Sequence, residues 1–555
     1  MTAVEGIAWT VYGIIALTSF FLSVLFTRYF QNKYETEFFA TVVTILALGL
    51  VFSTLCLLPV DIFLVSSTVD VSKGIKKEWA TEQVIQRMTF TMSIVYYVCY
   101  GLITVFSFIL IPFAYFFYEE FGEDQSNKDR IFGALKYTSF FIVISVLLSI
   151  FGLFLKPTTK TPKIDLDWFR KLLTDSNGEK AITFVIACLI LLGMLVFIGY
   201  TAPGLSLLPI SLIKGRKGID AEQEDVENRV AANKERQRVI RSRYIGRNMP
   251  KTEADVLDSL EDEERVLSRR LRAILVDKTS LSTKIIMYLR PFEFLLGMIL
   301  LCVTLVLVVS IFLTIIDKIA SSLCGSQCGY VINHPNLFNP INYIFVKVST
   351  IFPLDYIFMV GLILYFFLAT MSGVIYIGIR FLWITLFKIR KGATAPQGLL
   401  VTALLLTLSL LALNYTMTTT VAPGYTHFGS QVYCNQTLVN GHRDCTDHNE
   451  LIVRCDVFGP TDICTPTVSS TMIDRIIVNT PFFGIFFYYS QWVFLVVFLI
   501  GFVIALFKRP RNNVDADLQE LVDDEEEEEL LDRRRNSHRN SIGTGSGSGY
   551  YQTLT

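Results

Sequence analysis

The chain has 555 residues, of which 52% are hydrophobic and 44 are phenylalanine, with a mean hydropathy of +0.48 and a formal net charge of −1. A water-soluble fold cannot hide that much apolar surface, which excludes a soluble globular protein. The near-zero charge divides into opposite runs in different loops, and no nucleic-acid partner is expected.

Apolar runs of about 20 residues, each long enough to cross a bilayer core, recur along the chain. They predict an all-α polytopic membrane protein with about nine transmembrane helices near 6–28, 39–60, 92–117, 132–155, 181–202, 294–316, 353–379, 398–420 and 483–507. The first run has no basic region before it and no A-x-A pattern after it, so it reads as a retained span, not a cleaved signal peptide.

LLPVDIFLVS (57–66) closes the second run and places Pro59 and Asp61 at its outer end. Spans one to five occupy 1–213, and the last of them is interrupted by YTAPGLSLLPISLIKG, with Pro203, Gly204 and Pro209. A broken helix is expected there, and at membrane depth it survives only against protein or a water-filled cavity.

Residues 214–290 are charged and helix-prone, and read as a cytosolic helical hairpin turning near Asn248–Pro250. Apolar positions Leu257, Leu260, Leu267, Leu271 and Ile274 form the stripe of its second arm. Its many arginines make either a solvated face or a site for acidic lipid.

Spans six to eight lie within 291–420. Between the sixth and seventh, Cys324 and Cys328 form a candidate disulfide pair. The second Pro-x-Asp, IFPLDYIFMV, brings Pro353 and Asp355 to the start of span seven, where a break is expected because 342–379 is too long for one straight crossing. Both motifs are expected on one membrane face with opposite helix polarity. Asp355 suits the positive end of its own helix, whereas Asp61 needs a partner, a cation or water. Two roles are open for the pair: capping or solvation at a helix end, or lining a cavity or docking site.

The 421–481 loop holds Cys434, Cys445, Cys455 and Cys464, with three possible connectivities, and a glycosylation sequon at Asn435. Disulfide pairing is expected for Cys445 in preference to metal binding with His448, and Cys56, Cys99, Cys188 and Cys302 fall inside spans as packing residues. His334, His427, His442 and His448 fall on the outer side, where they read either as surface histidines without a role, the commoner case, or as groups that charge near pH 5 and gate. After the last span (482–507), the tail 508–555 is disordered by composition. It carries two adaptor-type sorting patterns: Glu526 to Leu530 and Leu531 as an acidic dileucine, and Tyr551 to Leu554 as tyrosine-x-x-bulky.

Basic residues beside spans fix the orientation: Lys214, Arg216, Lys217, Lys284 and Arg290, then Arg380, Lys388, Arg390 and Lys391, then Lys508, Arg509 and Arg511 are expected in the cytosol. The cysteine-bearing loop is expected in an oxidising lumen. Together they outweigh one basic loop, 156–180, and place the N-terminus lumenal and the C-terminus cytosolic. No phosphate-binding loop, zinc-protease, hydrolase or kinase pattern occurs, and no enzyme is expected.

At LLPVDIFLVS, IPFAYFFYEE (111–120), ALKYT (134–138), IFPLDYI (351–357), FLWITLFKIRKGATAPQGLL (381–400) and QWVFLVVFLIG (491–501), the chain resembles the limb-region-like membrane protein family nearly end to end. It is closer to the branch serving lysosomal cobalamin transport than to the lipocalin-receptor branch. RCDVFGPTDIC, with Cys455 and Cys464, is similar to that branch's lumenal loop. The resemblance implies nine spans, a lumenal N-terminus and the lysosomal membrane as destination, with endoplasmic reticulum and plasma membrane pools. It implies an escort for vitamin B12 (cobalamin) export that acts with a subfamily-D ABC half-transporter and the cytosolic cobalamin-processing chaperone. It also implies clathrin adaptors and the insulin receptor as partners, with no permanently bound cofactor. A homo-oligomer is compatible with all of this. The competing readings are a cobalamin transporter or channel in its own right, and an endocytic receptor.

Overall fold

A computed structural model of the chain describes residues 3–32, 37–120, 127–154, 177–214, 219–244, 250–279, 281–322, 325, 330, 337–351, 353–381, 384–389, 392, 394–435, 445, 449–456 and 459–507. Two units emerge, one of residues 1–209 with 299–506 and one of 210–298 with 507–555. Among the described residues, nine helices are long and apolar enough to cross a membrane: Val4–Phe30, Phe38–Ser66, Glu82–Glu119, Lys128–Phe154, Lys180–Lys214, Phe292–Ala320, Leu354–Ile377, Pro396–Val421 and Pro481–Phe507.

Helix is the only open-ended solution for such runs in lipid, because it satisfies every backbone group within the segment. Hydroxyls within the runs turn back to the preceding turn: Ser23 donates to the Ser19 carbonyl at 2.8 Å and Thr44 to that of Ala40 at 2.8 Å. Helices α1 (Ala3–Phe30) and α6 (Asn127–Phe154) turn most of their surface outward, whereas α2 (Phe38–Leu55) and α14 (Pro396–Thr416) are enclosed and form the centre of the bundle.

Three spans contain a π turn two residues ahead of a proline. Phe106–Leu110 joins α4 (Glu82–Val105) to α5 (Ile111–Glu119) and precedes Pro112. Phe197–Thr201 joins α7 (Asn177–Val196) to α8 (Ala202–Lys214) and precedes Pro203. Met417–Val421 follows α14 and precedes Pro423. A proline ring collides with the carbonyl four residues back and provides no N–H. At Pro112 and Pro203 that carbonyl lies in the widened turn, which absorbs the conflict, whereas the third helix ends at Ala422 and Pro423 opens a new one. The interruption expected at Pro203, Gly204 and Pro209 is therefore corrected: the helix runs on from Lys180 to Lys214, with Pro209 inside it.

Gly204 has a packing role in this span. A Cβ there would overlap the Ala369 carbonyl of α13 (Leu354–Ile377), and one at Gly373 would overlap the Tyr200 carbonyl. The two backbones touch at this crossing. Thr201 adds hydroxyl contacts to Thr370 at 2.8 Å and Ser409 at 3.0 Å, which ties three helices together.

The second span also departs from expectation. It kinks at Cys56 and continues as α3 (Leu57–Ser66), so Pro59 and Asp61 sit inside a helix and not at its outer end. Pro59 falls in the first turn of α3, where a missing N–H forfeits nothing. Ahead of span seven, α12 (Pro340–Val348) is a separate short helix. The chain breaks after it, and α13 begins at Leu354 with Pro353 in the capping position.

Contacts within the first unit show which ends share a face. On one face Arg87 pairs with Glu5 at 3.4 Å. The hairpin of β1 (Val69–Asp70) and β2 (Ile75–Lys76) meets β5 (Val432–Cys434) there, with the Cys434 N–H donating to the Gly74 carbonyl at 3.0 Å. Gly74 holds that turn at φ +66, where a Cβ would strike Cys434. On the opposite face Arg130 pairs with Glu37 at 3.5 Å, and Gln397 donates to Glu119 at 2.6 Å. Thr394, beyond the hairpin of β3 (Ile379–Phe381) and β4 (Ile384–Phe387), binds Phe30 and Asn32 at the end of α1 on that face.

In the second unit, α9 (Ile219–Arg243) and α10 (Lys251–Thr279) form a hairpin around Val226 and Leu267, flanked by Val230 and Leu271. Asn233 donates to Glu263 at 2.9 Å, and Arg243 pairs with Glu253 at 3.7 Å. α11 (Leu281–Ala320) then leads into the sixth span.

Candidate functional site

A cluster of buried polar groups lies at the disulfide-bearing face of the bundle, beneath a cap formed by the described residues between 423 and 479. Two short helices carry the cap: α15 (Pro423–Phe428), directly after the third π turn, and α16 (Val468–Asn479). α17 (Pro481–Phe507) follows as the last span. Between α15 and α16, β5 pairs antiparallel with β6 (Ile452–Arg454), with Cys434 opposite Ile452. Cys434 is bonded to Cys445 and Cys455 to Cys464, and the second bridge packs on Phe428 and Tyr433. Asn435 follows β5 and is exposed.

The N-terminus of α16 is buried, and its unpaired N–H groups need acceptors. The Thr467 hydroxyl accepts from the Ser470 N–H at 3.3 Å. The Ser469 N–H donates to Asp61 Oδ2 at 2.9 Å. Asp61 is 1% exposed, and the Tyr96 side chain of α4 lies beside its carboxylate. An anion at the positive end of a helix dipole is stabilised there. The partner that Asp61 needs is thus a helix end in the cap, not a cation.

Asp355 has a matching role on the far side of the cap. It is 3% exposed and lies in the first turn of α13, where Oδ1 accepts from the Tyr356 N–H at 3.0 Å. Its Oδ2 accepts from the Tyr425 hydroxyl of α15 at 2.6 Å. Tyr425 is held in turn by its own N–H to Asn342 at 2.7 Å and by stacking on Phe345 of α12 at 4.7 Å. Phe63 of α3 meets the Tyr356 ring at 5.6 Å, which links the two motifs. Each Pro-x-Asp therefore holds one helix of the same cap.

His427 was read as a surface residue; the structure corrects this. α15 turns inward under α16 and leaves the ring only partly exposed, with Nδ1 at 2.8 Å from the Pro423 carbonyl and Nε2 at 3.0 Å from Asp474 Oδ2. Burial alone pulls the imidazole down. The Asp474 carboxylate and the Pro423 carbonyl overcome that and hold it above its ordinary value. Lys318, buried near the end of α11, donates to the Thr420 hydroxyl at 3.2 Å and acts on the same Asp474 carboxylate through space.

Beneath the cap, α4, α7, α14 and α16 border a narrow crevice of only about 10 Å³, lined by Tyr100, Ile190, Asn414, Tyr415 and Met472 among others. The Asn414 amide donates to the Tyr100 hydroxyl at 2.8 Å, and its buried carbonyl oxygen has no hydrogen-bond partner among the described residues.

The structure brings together Asp61, Asp355, Cys434, Cys445, Cys455 and Cys464 around the cap. Pro203, Gly204 and Pro209 belong instead to the α8 span. Cys324, Cys328, His448, Glu526, Leu530, Leu531, Tyr551 and Leu554 lie outside the described residues. Sequence reasoning missed Tyr425, Ser469 and Asp474, and placed His427 on the surface. The one available signal was Thr467 ahead of VSSTMIDRIIVN, a capping residue before a helically spaced apolar stripe.

A family model described as LMBR1-like membrane protein matches residues 9–268. The chain is 40% identical over 545 residues to a protein of Sclerotinia sclerotiorum named probable lysosomal cobalamin transporter, covering 93% of this chain and 90% of that one. It is 39% identical to a protein of the same name from Neurospora crassa, over 96% of this chain and 92% of the relative. The identity is 37% to one from Podospora anserina, over 98% of each. No solved structure matches.

Proposed function

The chain belongs to the LMBR1-like membrane protein family, and on that premise we propose that it serves export of cobalamin from the lysosome to the cytosol. Its part is that of a membrane escort that docks an ABC half-transporter and directs it to lysosomes. The cap of 423–479 lies in the lumen with the N-terminus and carries a glycan on Asn435. The α9–α10 hairpin and the tail lie in the cytosol, where the hairpin is open to the cobalamin-processing chaperone and the tail signals to clathrin adaptors. Passage from the endoplasmic reticulum, with a plasma membrane pool, follows from that itinerary.

The observation that carries the escort over a conduit is the employment of the two buried aspartates. A conduit needs polar groups free to face its cargo. Asp61 instead caps α16 and Asp355 anchors Tyr425. The relatives' printed name, transporter, is what favours the conduit reading.

The escort reading is tested in cells by the combined variant Leu530→Ala, Leu531→Ala, Tyr551→Ala. Stranding of both the chain and the ABC partner outside lysosomes is expected. Normal lysosomal arrival of both overturns the addressing role.

A further inference from the structure

We infer that His427 and Asp474 form a proton-binding latch that holds the cap shut in acid and releases α15 from α16 near neutral pH. The geometry carries it. Both ring nitrogens of His427 face acceptors, the Pro423 carbonyl on one side and the Asp474 carboxylate on the other. A neutral imidazole has one N–H and one lone pair, so it can satisfy only one of them. The imidazolium donates to both. Loss of the proton turns a lone pair toward a buried acceptor, and one contact becomes repulsive.

The surroundings make that loss consequential. Asp474 on α16 and Lys318 on α11 are the titratable groups whose charge acts on His427, and Tyr415 of α14 feels the Asp474 charge in turn. In the acid state the Asp474 carboxylate faces the imidazolium, and loss of the ring proton removes that charge from it. The backbone joins the same elements: the Thr467 N–H ahead of α16 donates to the His427 carbonyl at 2.8 Å, and the Thr467 hydroxyl donates to that of Thr426 at 2.7 Å. A change at the ring is therefore felt at the end of α16 that Asp61 caps. The sign follows from linkage. A histidine held above its ordinary value contributes stability fully below about pH 6.5, and loses it as pH rises through the elevated folded value.

The compartments that impose this pH change rest on the lumenal placement proposed above, but the latch itself does not. The purified full-length chain in lipid nanodiscs is therefore followed by hydrogen–deuterium exchange at pH 5, 6.5 and 8, with rates corrected for intrinsic pH dependence. The expected result is protection of 423–428 and 468–479 that falls about ten-fold or more between pH 5 and 8, while α2 and α14 stay constant. Flat protection of the cap in the wild-type chain overturns the latch without any variant. His427→Gln is expected to abolish the pH dependence, and its persistence in that variant also overturns the proposal. Should His427→Gln not fold, Asp474→Asn decides: its cap should lose protection at a lower pH than wild type, and an unmoved midpoint refutes the pairing. Loss of cobalamin export with an intact latch would count only against the proposed function.

Discussion

The Asp61 carboxylate accepts the Ser469 N–H at 2.9 Å, a contact between residues 408 positions apart. It joins the kinked second span to the first turn of a cap helix. The pairing gives a buried acid at membrane depth a structural partner.

Asp61→Ala is expected to destabilise the chain by about 2–3 kcal/mol, because a buried N–H loses its charged acceptor. Asp61→Asn keeps an oxygen in place and should lose about half as much. Thermal melting in matched detergent checks both. Equal and undiminished melting of the two variants would remove Asp61 from the cap.

Tyr425→Phe deletes the hydroxyl that Asp355 receives at 2.6 Å while keeping the stack on Phe345. A loss of about 1.5–3 kcal/mol is expected for a hydrogen bond to a charged group. In a double-mutant cycle with Asp355→Asn the two losses should fall short of additive, because the residues share one contact. Simple additivity contradicts the pairing.

The nine spans were legible because each is an unbroken apolar run of bilayer length. The departures fall where local sequence underdetermines geometry. Pro112, Pro203 and Pro423 each follow a π turn at the same offset, but in sequence each reads only as a proline near an apolar run. Asp61 announced an unmet need, and nothing nearby named Ser469. His427 lies at the start of a cysteine-rich polar loop and reads as a surface residue; only the inward path of α15 draws it partly inside.

Gly204→Ala and Gly373→Ala each place a Cβ into a neighbouring backbone carbonyl at the α8–α13 crossing. Overpacking of about 1–3 kcal/mol is expected in each. Retention in the endoplasmic reticulum and a lower melting temperature follow. Wild-type melting of both would mean the backbones do not meet there.

Removing the Cys455–Cys464 bridge as a double serine variant should cost about 2–5 kcal/mol of cap stability. Limited proteolysis within 430–466 should speed up, while the spans resist. Unchanged cleavage would show the cap does not depend on that bridge.

In the proposed function this chain holds and directs a transporter and does not itself conduct. This role is tested most directly by labelled cobalamin movement in liposomes that hold the purified chain alone, with the cap side acidic, beside liposomes that also hold the ABC partner and ATP. An escort gives movement only in the second set. Movement through the chain alone would contradict it and make the cap aspartates parts of a gate.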